Sequence, residues 1–314
     1  MGKYIFGVDV GGTTVKMGLF DRDGMVVDKW EITTRTENGG EHILPDIADS
    51  INSKIAEKKY LKEDVLGIGI AVPGPVNGLG IVSKAVNLGW KETHVKEIME
   101  RLCGVPAEVG NDANVAALGE MWKGGGQGYS SLVLVTLGTG IGGGVIADGR
   151  LITGAWGAGG EIGHMHVMDG EEEACNCGCK GCLEQYGSAT GIVRLAKRML
   201  DKTQEPSVLR GAEITAKAVF DAVKEKDPVA QEIAGEFGEI LGKGFAMIAS
   251  VLNPAAFVIG GGVSKAGEVL FDYIRPPFEK YVFSGCVDAR FVLATLGNDA
   301  GIYGSAKLVL DTVI

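Results

Sequence analysis

A chain of 314 residues is longer than a single compact core supports and is expected to divide into two domains. With 46% hydrophobic and 22% charged residues, it has ample apolar surface to bury and lacks the composition of a disordered chain. A formal net charge of −10 without any run of Lys and Arg repels a phosphate backbone, which sets nucleic acid aside as a partner.

In chain order, Met1-Gly2-Lys3 passes directly into a strand-like run at Tyr4. That leaves no space for the apolar core of a signal peptide, so a cytoplasmic location is expected. Residues 4–10, 14–21 and 25–33 read as three strands of a meander, broken at Gly11-Gly12 and Asp23-Gly24. A helix follows with Ile43, Ile47, Ile51 and Ile55 on one face, and then a buried strand over 65–72. Beyond the Pro/Gly-rich loop 73–90, Thr93 reads as the N-cap of a helix bearing Val95, Ile98, Met99 and Leu102. A short strand at 106–109 leads into a helix from Asn111 through Met121.

Strands at 131–137, 142–147 and 150–153, separated by Gly138-Thr139-Gly140 and Asp148-Gly149, then repeat the opening order. Helices are expected at 188–200 and 215–226. Asp227-Pro228 opens a longer one with Val229, Ile233, Phe237, Leu241 and Phe245 inward. The uncharged stretch 244–264 is long enough for a membrane span, but Asn253-Pro254 and Gly260-Gly261-Gly262 divide it into helix end, turn and strand 256–259, so no membrane partner is expected. Residues 298–310 read as a final strand-to-helix unit. The pattern is an α/β architecture with domains 1–118, joined by 300–314, and 119–299, and with a hinge near 120–128.

Three glycine turns follow apolar strands: Gly11-Gly12-Thr13-Thr14 after Asp9 and before Lys16, Gly138-Thr139-Gly140, and Gly260-Gly261-Gly262. Each alone reads as a tight turn. Three at strand ends, one with a carboxylate and a lysine, favour backbone N–H groups presented to nucleotide phosphates. Gly138 to Gly143 also fits G-x-G-x-x-G, but a strand follows where the dinucleotide fingerprint needs a helix, and no P-loop motif occurs. Asn111-Asp112 is either a helix cap, favoured by spacing alone, or a carboxylate placed to accept a hydroxyl proton.

Four of the 6 cysteines, Cys175, Cys177, Cys179 and Cys182, cluster after His164. One imidazole and three thiolates from His164, Cys175, Cys177 and Cys182 suit a closed tetrahedral structural zinc site better than free thiols or a redox centre. Cys179 is an unassigned fourth thiol and a competing candidate ligand. Cys103 and Cys286 read as core residues.

Together, Asp9-Val10-Gly11-Gly12-Thr13-Thr14-x-Lys16, Asn111-Asp112-Ala113-Asn114, Gly138-Thr139-Gly140-x-Gly142-Gly143-Gly144, Glu161-x-Gly163-His164 and Cys175-x-Cys177-Gly178-x-x-Gly181-Cys182-Leu183-Glu184 resemble the ROK family of repressors, open reading frames and sugar kinases. The resemblance runs from Asp9 to about Gly304 and points, within the family, to its bacterial glucokinases. It implies an actin-like, hexokinase-type fold of two ribonuclease-H-like domains around a cleft.

It also implies ATP-dependent conversion of glucose to glucose 6-phosphate with Mg2+, a structural Zn2+ and a homodimer. The alternatives are a kinase for fructose, mannose or an N-acetylated amino sugar, or a sugar-responsive repressor. Repressor members carry a helix-turn-helix before the kinase-like body, for which a first strand at Tyr4 leaves no room. By the same resemblance, Asp112 is the general base, and Gly74, Asn87, Asn111, Glu161, His164 and Glu184 contact the sugar. Asp9 lies near magnesium, Gly11, Gly12, Thr13, Thr14, Lys16, Gly138 and Thr139 serve the phosphates, and Gly261 and Gly262 lie near the nucleoside.

Overall fold

The computed structural model describes residues 2–313; Met1 and Ile314, the extreme ends of the expected first domain, lie outside the described residues. The strands are β1 (Tyr4–Val10), β2 (Thr14–Asp21), β3 (Val26–Thr33), β4 (Val65–Val72), β5 (Ile81–Val82), β6 (Thr93–His94), β7 (Ala107–Asn111), β8 (Leu132–Leu137), β9 (Ile141–Ala147), β10 (Arg150–Leu151), β11 (Ala256–Gly260) and β12 (Arg290–Leu293). The helices are α1 (Glu37–Gly40, one irregular turn), α2 (Ile43–Lys58), α3 (Val95–Cys103), α4 (Asp112–Lys123) and α5 (Glu184–Gly187). There follow α6 (Ala189–Lys202), α7 (Ala216–Lys224), α8 (Pro228–Leu252), α9 (Val269–Tyr281) and α10 (Ala300–Val313).

Two 5-stranded sheets form, ordered β3-β2-β1-β4-β7 and β10-β9-β8-β11-β12. In the first, the β1–β2 and β2–β3 pairs are antiparallel and the β1–β4 and β4–β7 pairs parallel. The second repeats that pattern strand for strand. The repeat read from glycine turns is therefore a repeat of sheet topology.

Each sheet buries one face under its own helices. The stripe Ile43, Ile47, Ile51 and Ile55 of α2 packs with Phe6, Val8 and Met17 of the first sheet. On the second, Phe237, Leu241 and Phe245 of α8 pack with Phe257 and Phe291. The other faces meet α4 and α10, which lie between the sheets. α10 packs on β1 and β4, α4 packs on β8 and β9, and the two helices pack on each other. α10 comes so close to β4 that a Cβ at Gly69 would fall 1.8 Å from Ser305 O, so the strand needs glycine there.

Several local expectations are revised. Thr93 does not cap α3; it pairs with Val82 in the short β5–β6 ribbon, and His94 precedes the helix without a side-chain cap. Leu102 lies outside the α3 core face and is exposed. Only Arg150 and Leu151 of 150–153 form a strand. Residues 298–310 contain no strand, since a 3-10 turn at Gly297–Asp299 leads into α10. Among the described residues no helix is long and apolar enough to cross a membrane.

Candidate active site

A cleft of about 700 Å³ opens between the sheets. Into it β1 carries Asp9 at its C-terminal end and β2 carries Lys16, which are register partners across the antiparallel pair and so project from the same face. Lys16 Nζ donates to Asn298 O at 3.2 Å. Burial pushes the Asp9 carboxyl up to about 6, with the charge of Asp112 adding to the rise and Lys16 opposing it.

The cap and the acid at the start of α4 turn out to be different residues. Asn111 holds extended backbone angles and its Oδ1 accepts from Ala113 N at 3.1 Å and Asn114 N at 3.2 Å, so Asn111 is the cap. Its Nδ2 donates to Gly74 O at 3.1 Å, which fixes the amide's orientation. Asp112 occupies the first turn, accepts from Ala113 N through Oδ1 at 2.8 Å, and opens toward the cleft. Solvent reaches this carboxylate through the cleft, yet protein surrounds most of it. Desolvation raises its pKa, Ala113 N–H counteracts, and Glu161 raises it further. A carboxylate shifted upward and facing a cavity is suited to accept a proton.

The opposite wall carries His164 and Glu184. Glu184 Oε2 accepts from Ile141 N at 3.3 Å, and Oε1 accepts from the Cys175 thiol at 2.7 Å. His164 turns Nδ1 toward Cys175 Sγ, 3.7 Å away, and Nε2 toward Glu161 Oε2 at 3.8 Å. The donor atoms of His164, Cys175, Cys177 and Cys182 all lie within 4.8 Å of one another, with Cys177 Sγ and Cys182 Sγ 3.7 Å apart. Tetrahedral zinc with Zn–S bonds of about 2.3 Å has S···S edges of about 3.8 Å, so this donor set fits zinc in both size and softness. Cys179 is exposed and lies outside the four-atom group, while Cys103 and Cys286 are buried.

The remaining candidates occupy defined places around the cleft. Asn87, Gly138 and Thr139 line it directly. The Gly11–Thr14 turn is closed by Gly11 N donating to Thr14 O at 3.1 Å, tied to the segment just after β3 by Thr34 N donating to Thr13 O at 2.9 Å, and set with Gly12 against Asn87. Gly261, at φ +82, lies against the backbone of Leu137, where an added Cβ would fall 2.5 Å from Leu137 O. Gly262 lines a separate hollow of about 140 Å³ beside Phe220 and Lys265. Gly297, Asn298, Ala300 and Gly301 also line the cleft and were missed from sequence; a Cβ at Gly301 would fall 2.5 Å from the Asp9 carboxylate. The glycine just before a helix start was the available signal.

The model of the ROK family matches residues 5–312. The chain is 43% identical to a glucokinase from Halalkalibacterium halodurans, over 98% of this chain and 95% of that one. It is 36% identical to a glucokinase from Thermotoga maritima, over 98% of each. Among solved structures, a ROK family glucokinase from Streptomyces griseus in complex with glucose and AMPPNP superposes with a TM-score of 0.74 at 34% identity, covering 98% of this chain and 99% of that one.

Proposed function

The chain belongs to the ROK family, and from that premise we propose that it phosphorylates glucose with ATP to give glucose 6-phosphate, with Asp112 as general base. Its fold is the two-domain actin-like α/β fold of ROK hexose kinases. The observation that carries the mechanistic reading is the meeting, in one cleft, of an upshifted Asp112 with Asp9, Lys16 and the Gly138 turn on one side and Glu184 and His164 on the other.

In this reading the primary hydroxyl of the sugar gives its proton to Asp112 as its oxygen bonds to the γ-phosphorus. The bond from that phosphorus to the β–γ bridging oxygen breaks, and ADP leaves. Lys16, Thr13, Thr14 and Thr139, with the N–H groups of Gly11, Gly12 and Gly138, orient the phosphates, while Gly261 and Gly262 border the nucleoside. Asp9 would hold magnesium, which supplies charge neutralisation on the phosphate oxygens. Asn111, Glu161, His164 and Glu184, with Gly74 and Asn87 from the first lobe, orient the sugar. Buried acceptors of this kind discriminate against analogues that lack the matching hydroxyls.

His164 Nδ1 and the thiolates of Cys175, Cys177 and Cys182 would hold zinc. Its contribution is a cross-link that fixes the imidazole's tautomer and direction. We read 1–118 with 300–314 as one lobe and 119–299 as the other, supported by the packing of α10 on β1 and β4, with α4 shared because it packs on β8 and β9. A cytoplasmic homodimer completes the reading. Val251 of α8 is 83% exposed and offers apolar surface for self-association.

The test is production of glucose 6-phosphate from glucose and magnesium-ATP, beside a panel of fructose, mannose and N-acetylated amino sugars. Glucose is expected to show the highest kcat/KM. A higher value for another hexose, with little turnover of glucose, would sink the assignment.

A further inference from the structure

The chain passes between the two sheets twice, once after α4 through residues 124–131 and once before α10 through residues 294–299. Glu120, in the last turn of α4, is only 1% exposed, and its bonding partners are main-chain N–H groups from both crossings. Oε2 accepts from Gly125 N at 2.8 Å and Thr295 N at 3.0 Å, and Oε1 accepts from Leu296 N at 2.9 Å. The Glu120 carbonyl accepts from Gly124 N at 3.1 Å and Gly126 N at 2.9 Å. A buried carboxylate is costly unless such charge-assisted bonds replace its water.

The surrounding chain leaves room for this contact and little else. A Cβ at Gly124 would fall 1.9 Å from Glu120 Oε2, and one at Gly125 would fall 2.0 Å from Leu293 O. Immediately beside Glu120, α4 and α10 touch backbone to backbone. A Cβ at Gly119 would fall 2.3 Å from Ala300 O, and one at Gly304 would fall 1.7 Å from Val115 O. Two helices in direct main-chain contact, with both crossings gathered on one carboxylate, make a pivot.

We propose that Glu120 is the pin of the hinge between the lobes, a positioning residue that sets how the Asp112 carboxylate is aimed relative to the phosphate-binding residues beside it. The connection is short on both sides. α4 begins with Asp112 and ends on the pin, so a tilt at one end moves the other as a rigid rod. Leu296 is followed by Gly297, Asn298, Ala300 and Gly301, where Asn298 O receives Lys16 Nζ and Gly301 lies against Asp9. The helix that begins with Asp112 and the segment that touches Lys16 and Asp9 thus meet at one side chain. The inference rests on the kinase reading for its functional half.

Two variants test it from opposite sides. Glu120→Gln keeps an acceptor but turns an NH₂ toward one of the three N–H groups; Gly124→Ala leaves the glutamate intact and pushes it with a methyl. Each is expected to lower kcat per folded molecule about tenfold or more, because misplacement by an ångström is enough, while the Kd of magnesium-ATP alone stays within about threefold. In Glu120→Gln, the amides of Gly125, Thr295 and Leu296 are expected to exchange with deuterium at least about tenfold faster. Wild-type kcat in either folded variant overturns the positioning role, and unchanged exchange at those amides overturns the pin. Absence of glucose phosphorylation by the wild-type protein would instead overturn the kinase reading, with the exchange experiment still deciding the pin.

Discussion

The two walls of the cleft are built by different physics. The wall bearing Asp9, Lys16 and Asp112 is an extension of regular structure. Its residues sit at strand ends and a helix start, and their positions follow from sheet register and a satisfied N-cap. The wall bearing Glu161 and His164 lies in the stretch between β10 and α5, where regular structure is limited to the 3-10 turn Ile162–His164 and the isolated bridges His166–Cys182 and Ala174–Lys180. There the chain is held by side chains. Asn114 Nδ2 donates to Gly159 O at 3.3 Å, the buried Glu171 carboxylate takes Arg194, Arg198 and Tyr186, and four ligand atoms converge. A wall continuous with the hydrophobic core needs no further support, whereas a wall of loop needs cross-links.

The largest consequence of this division falls on the regular wall. Asp112→Asn preserves shape and the bond from Ala113 N but removes the proposed proton acceptor, and kcat is expected to fall by about 10²–10⁴-fold with Tm nearly unchanged. Because burial raises the Asp112 carboxyl, the acid limb of the wild-type kcat profile is expected to lie above the ordinary carboxylate range. A variant that retains turnover within a few-fold would show that the proton leaves by another route. The regular wall would then hold the phosphates without supplying the base.

On the loop wall the expected effect is smaller and of a different kind. A chelator that strips the proposed zinc, or Cys177→Ser, should raise the KM for glucose about 10–100-fold while the KM for ATP shifts little, since that metal would hold only the proposed sugar-facing side. Cys179→Ser, outside the ligand group, should keep metal and kinetics within about twofold. Metal analysis beside steady-state kinetics checks both. Equal losses in the two substrates' KM would show that the loop supports the whole cleft rather than one wall.

How much of this was legible in sequence follows the same division. Asn111-Asp112, the repeated glycine turns and the order of His164 and the cysteines were readable because each is a local pattern: a cap, a hairpin and a ligand spacing. The topology was readable because the glycine turns repeat. The wall at Gly297–Gly301 was not, since its place in the cleft depends on a chain crossing that brings Asn298 to Lys16 across 282 residues. α9 was given no reading from sequence, and it holds Pro276 and Pro277 in its interior, where proline removes a helical N–H. β12, Arg290–Leu293, is short and, among the described residues, pairs with β11 alone, so its existence is decided by the neighbour it joins. Glu120 opens the hinge segment 120–128 read from sequence, but its bonds were not legible there. Its burial comes from two segments folding over it.

The smallest predicted effect separates stability from function within the regular wall. Asp9 has its carboxyl raised to about 6 from 3.8, by burial first and by Asp112 second. For a group whose folded pKa lies above its unfolded value, the stabilising contribution is complete below pH 3.8 and is lost as the pH rises through about 6. The ligand-free protein is therefore penalised at neutral pH for keeping Asp9 ionised beside Asp112. Asp9→Asn removes that penalty and should raise stability by roughly 2 kcal/mol at pH 7.5, with allowance for partial solvent access, and by nearly nothing from this group below pH 3.8. Magnesium with nucleotide should reverse the ranking, because a cation bound at this site relieves the wild-type penalty and finds no charge in the variant. Denaturant melts at both pH values, with and without ligand, read all four quantities. A variant less stable than wild type at pH 7.5 without ligand would mean that the attraction of Lys16 outweighs burial and the charge of Asp112 together.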